Sequence, residues 1–162
     1  MIQQTLVLVK PDGVARGLIG EVIKRFEQRG LKIVALKLTK INIDHAKKHY
    51  TEDLSKRHSE KVRTSLLDFI TGGPVVAMII EGVHAIKMAR KIVGDTFPGD
   101  ADLGTIRGDF CHMSKDYVKE KNKADNVVHA SADEADAKNE VALWFSIDEI
   151  HDYKLAGAEH LI

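Results

Sequence analysis

A chain of 162 residues with 44% hydrophobic content is long enough for one domain with its own core. Lys+Arg and Asp+Glu balance at 24 each and aromatics make up 6%, so neither a net field nor an aromatic face points to nucleic acid or an anionic membrane. Cys111 is the only cysteine, which excludes an intrachain disulfide and fits a reducing, cytoplasmic setting, and the first apolar run, residues 5–9, is too short for a signal core or a membrane span.

Residues 6–9 read as a buried strand stopped by Pro11 and Gly13. Ile19, Val22, Ile23 and Phe26 recur on one face of a helix, with Gly30 placed to cap its end. Strand character returns over residues 31–38. From Asp44, a plausible N-cap, to Ile70 the pattern is helical but polar, and Val62, Leu66, Phe69 and Ile70 give it an apolar face. Residues 74–80 are the strongest buried-strand candidate, followed by a helix over 83–93 that ends at Gly94. Residues 94–126 show no sustained period, and loops of that length in a compact domain tend to be functional. A short strand over 126–129, a helix to Glu140 and a last apolar stretch over 141–145 complete the chain.

The order β-α-β-(helices)-β-α-β predicts an α+β, ferredoxin-like βαββαβ arrangement. Its antiparallel sheet carries helices on one face, with additional inserted helices. Residues 1–162 are expected to form a single domain with a charged insertion around 113–125.

Gly13, Gly17 and Gly20 are spaced as G-x-x-x-G-x-x-G, neither a dinucleotide fingerprint nor a Walker loop. Phosphate handling would therefore fall to side chains. His129 lies at a strand end, where its ring can be aimed into a cleft, and an imidazole neutral near pH 7 is a competent nucleophile. Glu140 sits at the far end of the next helix, which can fold back to hold that ring. Lys10, Arg90 and Arg107 occupy element ends and together suit a triphosphate clamp, arginine as a fork and lysine as a point charge, although taken singly each reads better as a solvated surface charge. His45 and His49 share a helix face, but without a third ligand a structural role is the stronger reading than a metal pair.

The segments Val9-Lys10-Pro11-Asp12-Gly13-Val14, Arg16-Gly17-Leu18-Ile19-Gly20-Glu21 and His49-Tyr50 point to one family. So do Gly73-Pro74-Val75-Val76-Ala77-Met78, residues 104–110, Asn126-Val127-Val128-His129-Ala130-Ser131, Glu140 and Leu143-Trp144-Phe145. Taken in this order the chain closely resembles nucleoside diphosphate kinases over nearly its whole length.

The resemblance implies ping-pong transfer of a γ-phosphate from a nucleoside triphosphate such as ATP to a diphosphate through a phosphohistidine. GTP and deoxynucleoside diphosphates (dNDPs) belong to the same substrate class. Mg²⁺ is expected to arrive on the nucleotide, and the protein to form homo-oligomers, hexamers foremost with tetramers as the alternative. By position, His129 is the nucleophile, with Glu140 and Ser131 orienting its ring. Lys10 and Asn126 resemble the pair on the sugar hydroxyls, Tyr50, Arg90, Thr96 and Arg107 the phosphate clamp, and Leu66 an apolar residue near the base.

Three departures stand out. The family's base-stacking phenylalanine, in a Pro-Phe-Phe segment after the tyrosine, has no counterpart here. The stretch from Tyr50 to Pro74 is longer than usual and residues 55–62 read Ser-Lys-Arg-His-Ser-Glu-Lys-Val, leaving His58 or Val62 as candidates. Ala132 stands where an aspartate is common, with Asp133 beside it. Residues 115–123 form an insertion whose charge favours an exposed excursion over a partial lid. The altered base segment also motivates a rival reading, a nucleotide- or partner-binding scaffold of the same fold with little turnover.

Overall fold

The computed structural model describes residues 1–121, 125–157 and 159; residues 122–124 of the expected insertion lie outside them. Strand β1 (Ile2–Val9) leads through α1 (Pro11–Ala15) and α2 (Ile19–Gln28) to β2 (Lys32–Thr39). Three helices follow, α3 (Ile43–His49), α4 (Glu52–Arg57) and α5 (Glu60–Thr71), then β3 (Val75–Val83) and α6 (Ala85–Val93). The long irregular region holds a 3-10 turn at Pro98–Asp100, α7 (Ile106–Phe110) and α8 (Lys115–Lys121). Strand β4 (Val128–Ala130) and helix α9 (Glu134–Trp144) come last.

The strands form one sheet in the order β2-β3-β1-β4, with every neighbouring pair antiparallel. This is the expected ferredoxin-like order. Alternation along the strands sends Val7, Val9, Val76, Met78 and Ile80 to one face, against Val22 and Phe26 of α2 and Ala89 and Val93 of α6. Leu6, Leu8, Ala77 and Ile79 face the other way, onto Ala46 of α3, Leu67 and Ile70 of α5 and Trp144 of α9. The two helices of the βαβ units share one face, and the inserted helices with α9 cover the second. Coverage on both faces explains why β1 and β3 read as continuous apolar runs rather than alternating ones.

Several boundaries differ from the sequence reading: β3 runs on to Val83, where the next helix was expected to begin, and β4 spans Val128–Ala130 rather than residues 126–129. The helix expected to start at Asp44 is capped by Asn42, whose side chain accepts the His45 N–H at 2.9 Å. Asp44 sits in its first turn instead. The polar helical stretch is broken twice, because Thr51 and Ser59 are extended N-cap residues that restart the chain as α4 and α5. The last apolar stretch continues α9, which runs on to Trp144 so that Trp144 and Phe145 reach the second core. No helix among the described residues is long and apolar enough to cross a membrane.

Candidate active site

Strand β4 aims the candidate nucleophile. Val128 and Ala130 are buried on the α2/α6 side of the sheet, so His129 between them projects to the opposite face, where α3 and α9 lie. There His129 Nε2 is 3.0 Å from both carboxylate oxygens of Glu140. An ionised carboxylate can only accept, so Nε2 carries the proton and Nδ1 is left with the lone pair. Ser131 Oγ donates to Glu140 Oε2 at 2.6 Å, and the Ser131 N–H donates to the Leu6 carbonyl at 3.2 Å, which ties the carboxylate to β1. Burial works against the Glu140 anion. The neighbouring His129 and the hydrogen bonds from His129 and Ser131 outweigh it and hold the carboxyl below its ordinary value.

The turn entering β4 is strained and over-determined. Val127 has φ of 66°, an unfavourable region for a β-branched residue, at a cost of about 1–3 kcal/mol. Asp12 Oδ2 accepts the Val127 N–H at 2.8 Å, and the Lys10 N–H donates to the Val127 carbonyl at 2.8 Å. A Cβ on Gly13 would lie 2.9 Å from that carbonyl oxygen and 2.8 Å from Val9 Cγ1, so only glycine permits the approach. Arg107 closes the arrangement by donating to the carbonyls of Asn126, Gly94, Asp95 and Val128 at 2.7–3.3 Å. Lys10-Pro11-Asp12-Gly13 and Arg107 are thus brought from distant parts of the chain to hold one elbow.

In front of His129 lies a cleft of about 540 Å³ lined by Lys10, Tyr50, Leu66, Arg90, Thr96, Arg107, Asn126, His129 and Glu140. Of the residues that the resemblance assigns to the site, Ser131 does not line it and acts behind Glu140 instead; the base candidates His58 and Val62 line an adjoining cavity. The formal charge of the chain is zero, yet Lys10, Arg90 and Arg107 converge here with Arg57 and Lys48, making a local cation cluster suited to a polyanion. Burial lowers Lys10 to about 8 and Arg107 to about 10, and it raises the Tyr50 phenol. Asn126 Nδ2 donates to the Thr96 carbonyl at 2.8 Å, while its Oδ1 is buried with no partner among the described residues and can accept a ligand hydroxyl.

Among the lining residues, Arg57 escaped the sequence reading, and His49, a structural residue in that reading, is a neighbour of His129. Arg57, at the end of α4 and 2.9 Å from Asp53, is hidden in sequence within a charged run. His49 packs its ring 4.7 Å from that of His129, and its Nδ1 accepts the Trp144 Nε1–H at 3.3 Å. Burial pushes His49 down to about 3, which keeps it neutral beside the candidate nucleophile. His45 packs on Trp144 instead, so the two histidines do not form a metal pair. Among the described residues, His49, His129 and Glu140 offer ligand atoms within 4.8 Å of one another. Two imidazoles and one carboxylate suit a softer metal than Mg²⁺, which takes oxygen ligands.

A half-buried imidazole with one nitrogen pinned and the other open to a cation-lined cleft suits a phosphoryl-transfer site built from side chains. Comparison with known proteins agrees. A family model described as nucleoside diphosphate kinase matches residues 3–150. A nucleoside diphosphate kinase of Borreliella burgdorferi is 51% identical over 95% of this chain and 93% of its own. A solved nucleoside-diphosphate kinase structure from Borrelia burgdorferi, a transition state mimic with bound vanadate and ADP, superposes with a TM-score of 0.95. It is 49% identical, over 98% of this chain and 96% of that one. A halophilic nucleoside diphosphate kinase from Halobacterium salinarum, in complex with CDP, gives a TM-score of 0.85 at 36% identity over 100% and 99% of the two chains. The chain belongs to the nucleoside diphosphate kinase family and is a phosphotransferase acting on nucleotides.

Proposed function

We propose that His129 is the residue that carries the phosphoryl group. Its Nδ1 attacks the γ-phosphorus of a nucleoside triphosphate; an N–P bond forms as the bond to the β-phosphate oxygen breaks, and the nucleoside diphosphate leaves. A second nucleoside diphosphate then attacks the same phosphorus and regenerates the imidazole. The observation that carries this reading is the pinning of Nε2 by Glu140, itself held by Ser131, which leaves Nδ1 free and stabilises the charge the ring gains on phosphorylation. Arg90, Arg107, Tyr50 and Thr96 cradle the phosphates, joined by Arg57 from α4. Lys10 and the open Oδ1 of Asn126 take the sugar hydroxyls, and Leu66 lies toward the base.

A divalent cation such as Mg²⁺ would arrive on the nucleotide and would supply neutralisation of phosphate charge, with Arg90, Arg107 and Lys10 supplying the protein's share. Among the described residues, the His49, His129 and Glu140 cluster supplies two imidazoles and one carboxylate rather than an oxygen cage. ATP is the expected donor, with GTP and dNDPs as further substrates; ADP bound in the Borrelia relative and CDP in the Halobacterium one support broad base tolerance. Residues 1–162 act as one domain. Edge strand β2 leaves Leu36 and Leu38 51% and 63% exposed, an apolar edge that favours a homo-oligomer, hexameric before tetrameric. A cytoplasmic location fits the single, unpaired Cys111.

The scaffold reading finds no support in a site with its nucleophile, orienting pair and clamp all assembled. The test is transfer from ATP to GDP by wild type and His129→Asn. Loss of transfer to background in a folded variant is expected; retention of more than a tenth of the activity would overturn the assignment.

A further inference from the structure

Glu140 meets more than the ring of His129. Its Oε1 lies 3.0 Å from His129 Nε2 and 3.6 Å from His49 Nδ1. Trp144 Nε1–H donates to His49 Nδ1 at 3.3 Å, which assigns the lone pair of that neutral imidazole to Nδ1. A lone pair and a carboxylate oxygen therefore face each other with no proton between them, and a cation placed there relieves the opposition.

The spacing suits a small tetrahedral ion. Bonds of about 2.0–2.1 Å to nitrogen and oxygen hold neighbouring ligands about 3.3 Å apart in a tetrahedron. The separations of 3.0 and 3.6 Å bracket that edge, and the ligand atoms of His49, His129 and Glu140 all lie within 4.8 Å of one another. All three residues line the cleft, which gives an ion its route in and water its place as the fourth ligand. Lys10, Arg90 and Arg107 line the same cleft and oppose a second positive charge. Affinity then falls to the direct bonds, two of them to imidazole nitrogen, which favours Zn²⁺ over Mg²⁺.

We propose that His49, His129 and Glu140 form an inhibitory site for a divalent transition ion of the Zn²⁺ type. The long Trp144 hydrogen bond gives way to a bond from the ion to His49 Nδ1. At His129 the ion takes the place of the proton on Nε2. That N–H bond breaks, a metal–nitrogen bond forms there, and the ring stays neutral by taking a proton at Nδ1, so no net proton is released. Nδ1 then has no lone pair with which to attack phosphorus. The ion thus silences the nucleophile from behind, by exchanging its tautomer, and leaves the phosphate clamp untouched. Only this consequence rests on the phosphotransfer reading; the site itself does not.

The test measures the Zn²⁺ dissociation constant of the nucleotide-free full chain and of His49→Gln, His49→Phe and His112→Gln. Glutamine keeps an acceptor for Trp144, phenylalanine keeps the ring shape, and exposed His112, beside Cys111, is the competing surface ligand. The expected result is binding weakened more than about tenfold in both His49 variants and within twofold of wild type in His112→Gln. Nitrogen-15 spectra of wild type, assigned with His129→Asn, should show the His129 proton moving from Nε2 to Nδ1 as Zn²⁺ binds. Zn²⁺-loaded wild type mixed with MgATP should phosphorylate His129 more than tenfold slower than the metal-free chain. Each His49 variant should slow less than twofold against its own metal-free rate, since Zn²⁺ drawn off by ATP acts on all alike. No Zn²⁺ binding by wild type, affinity within threefold of wild type in both His49 variants, or an unchanged His129 tautomer would overturn the proposal. Failure of the metal-free chain to label His129 indicts the nucleophile assignment instead, whereas affinities and spectra recorded without nucleotide report on the metal site alone.

Discussion

Replacing Glu140 by Gln tests how the pinned imidazole works. The carboxylate receives His129 Nε2 at 3.0 Å on each oxygen and Ser131 Oγ at 2.6 Å, and it is shielded from solvent. Glutamine keeps one acceptor oxygen and the shape but loses the charge that offsets the positive ring in the transition state. A hydrogen bond to a charged group contributes about 1.5–3 kcal/mol against about 0.5–1.5 for a neutral one, so about 1–1.5 kcal/mol disappears. That difference predicts about a tenfold slower phosphorylation of His129 by ATP. Glu140→Ala, which removes the acceptor altogether, should slow it about 10- to 100-fold. Rapid-quench single-turnover measurement of phosphoenzyme reads the step directly, with nucleotide affinity measured separately. Rates within twofold of wild type in both variants would refute the argument that Glu140 acts through the ring.

Other substitutions probe the elbow and the buried cations. Gly13→Ala drives a methyl against Val9 and the Val127 carbonyl, so it should lower stability by about 1–3 kcal/mol in urea unfolding and depress kcat more than it raises KM. Arg107→Met removes four donations to backbone carbonyls and should cost about 2–4 kcal/mol while also slowing turnover. Lys10 binds its proton less tightly folded, at about 8, than unfolded, at its ordinary 10.5, so between those values the unfolded chain holds more protons and stability rises with pH. Lys10→Met should abolish that rise, worth about 2 kcal/mol between pH 7 and 9.5 in urea unfolding, and wild-type nucleotide KM should climb above pH 8 as the ammonium is lost. Glu140 acts in the same direction, stability rising with pH, but in the acid range and as a gain rather than the relief of a cost. Its folded pKa lies below the ordinary 4.5, so its contribution is full above that value and fades as pH falls through the folded one; Glu140→Gln should flatten this part of the acid unfolding profile.

The sheet was legible because its central strands are buried on both faces, which leaves unbroken apolar runs at residues 6–9 and 75–80. The two βαβ helices were legible from the spacing of Val22 and Phe26 and the glycines that end them. Helix breaks at Thr51 and Ser59 were missed, since polar residues with good helix propensity surround both and only local hydrogen bonding decides. His129 and Glu140 could be named from the sequence, but their meeting depends on α9 packing through Trp144, a tertiary contact with no local signal. Arg107 looked like a pure phosphate ligand, whereas most of its donors bind backbone carbonyls, which side-chain identity cannot reveal. Arg57 was masked because it sits in a charged stretch that reads as solvated surface, and only the fold sets this exposed side chain along the cleft.

The central claim is that His129 itself holds the phosphoryl group between two nucleotides. Incubation with γ-labelled ATP, followed by alkaline digestion and peptide mapping, tests it most directly. An acid-labile, alkali-stable label on His129 that is discharged by GDP with matching formation of GTP is the predicted result. Transfer to GDP with no label on His129, or undiminished transfer in His129→Asn, would contradict it.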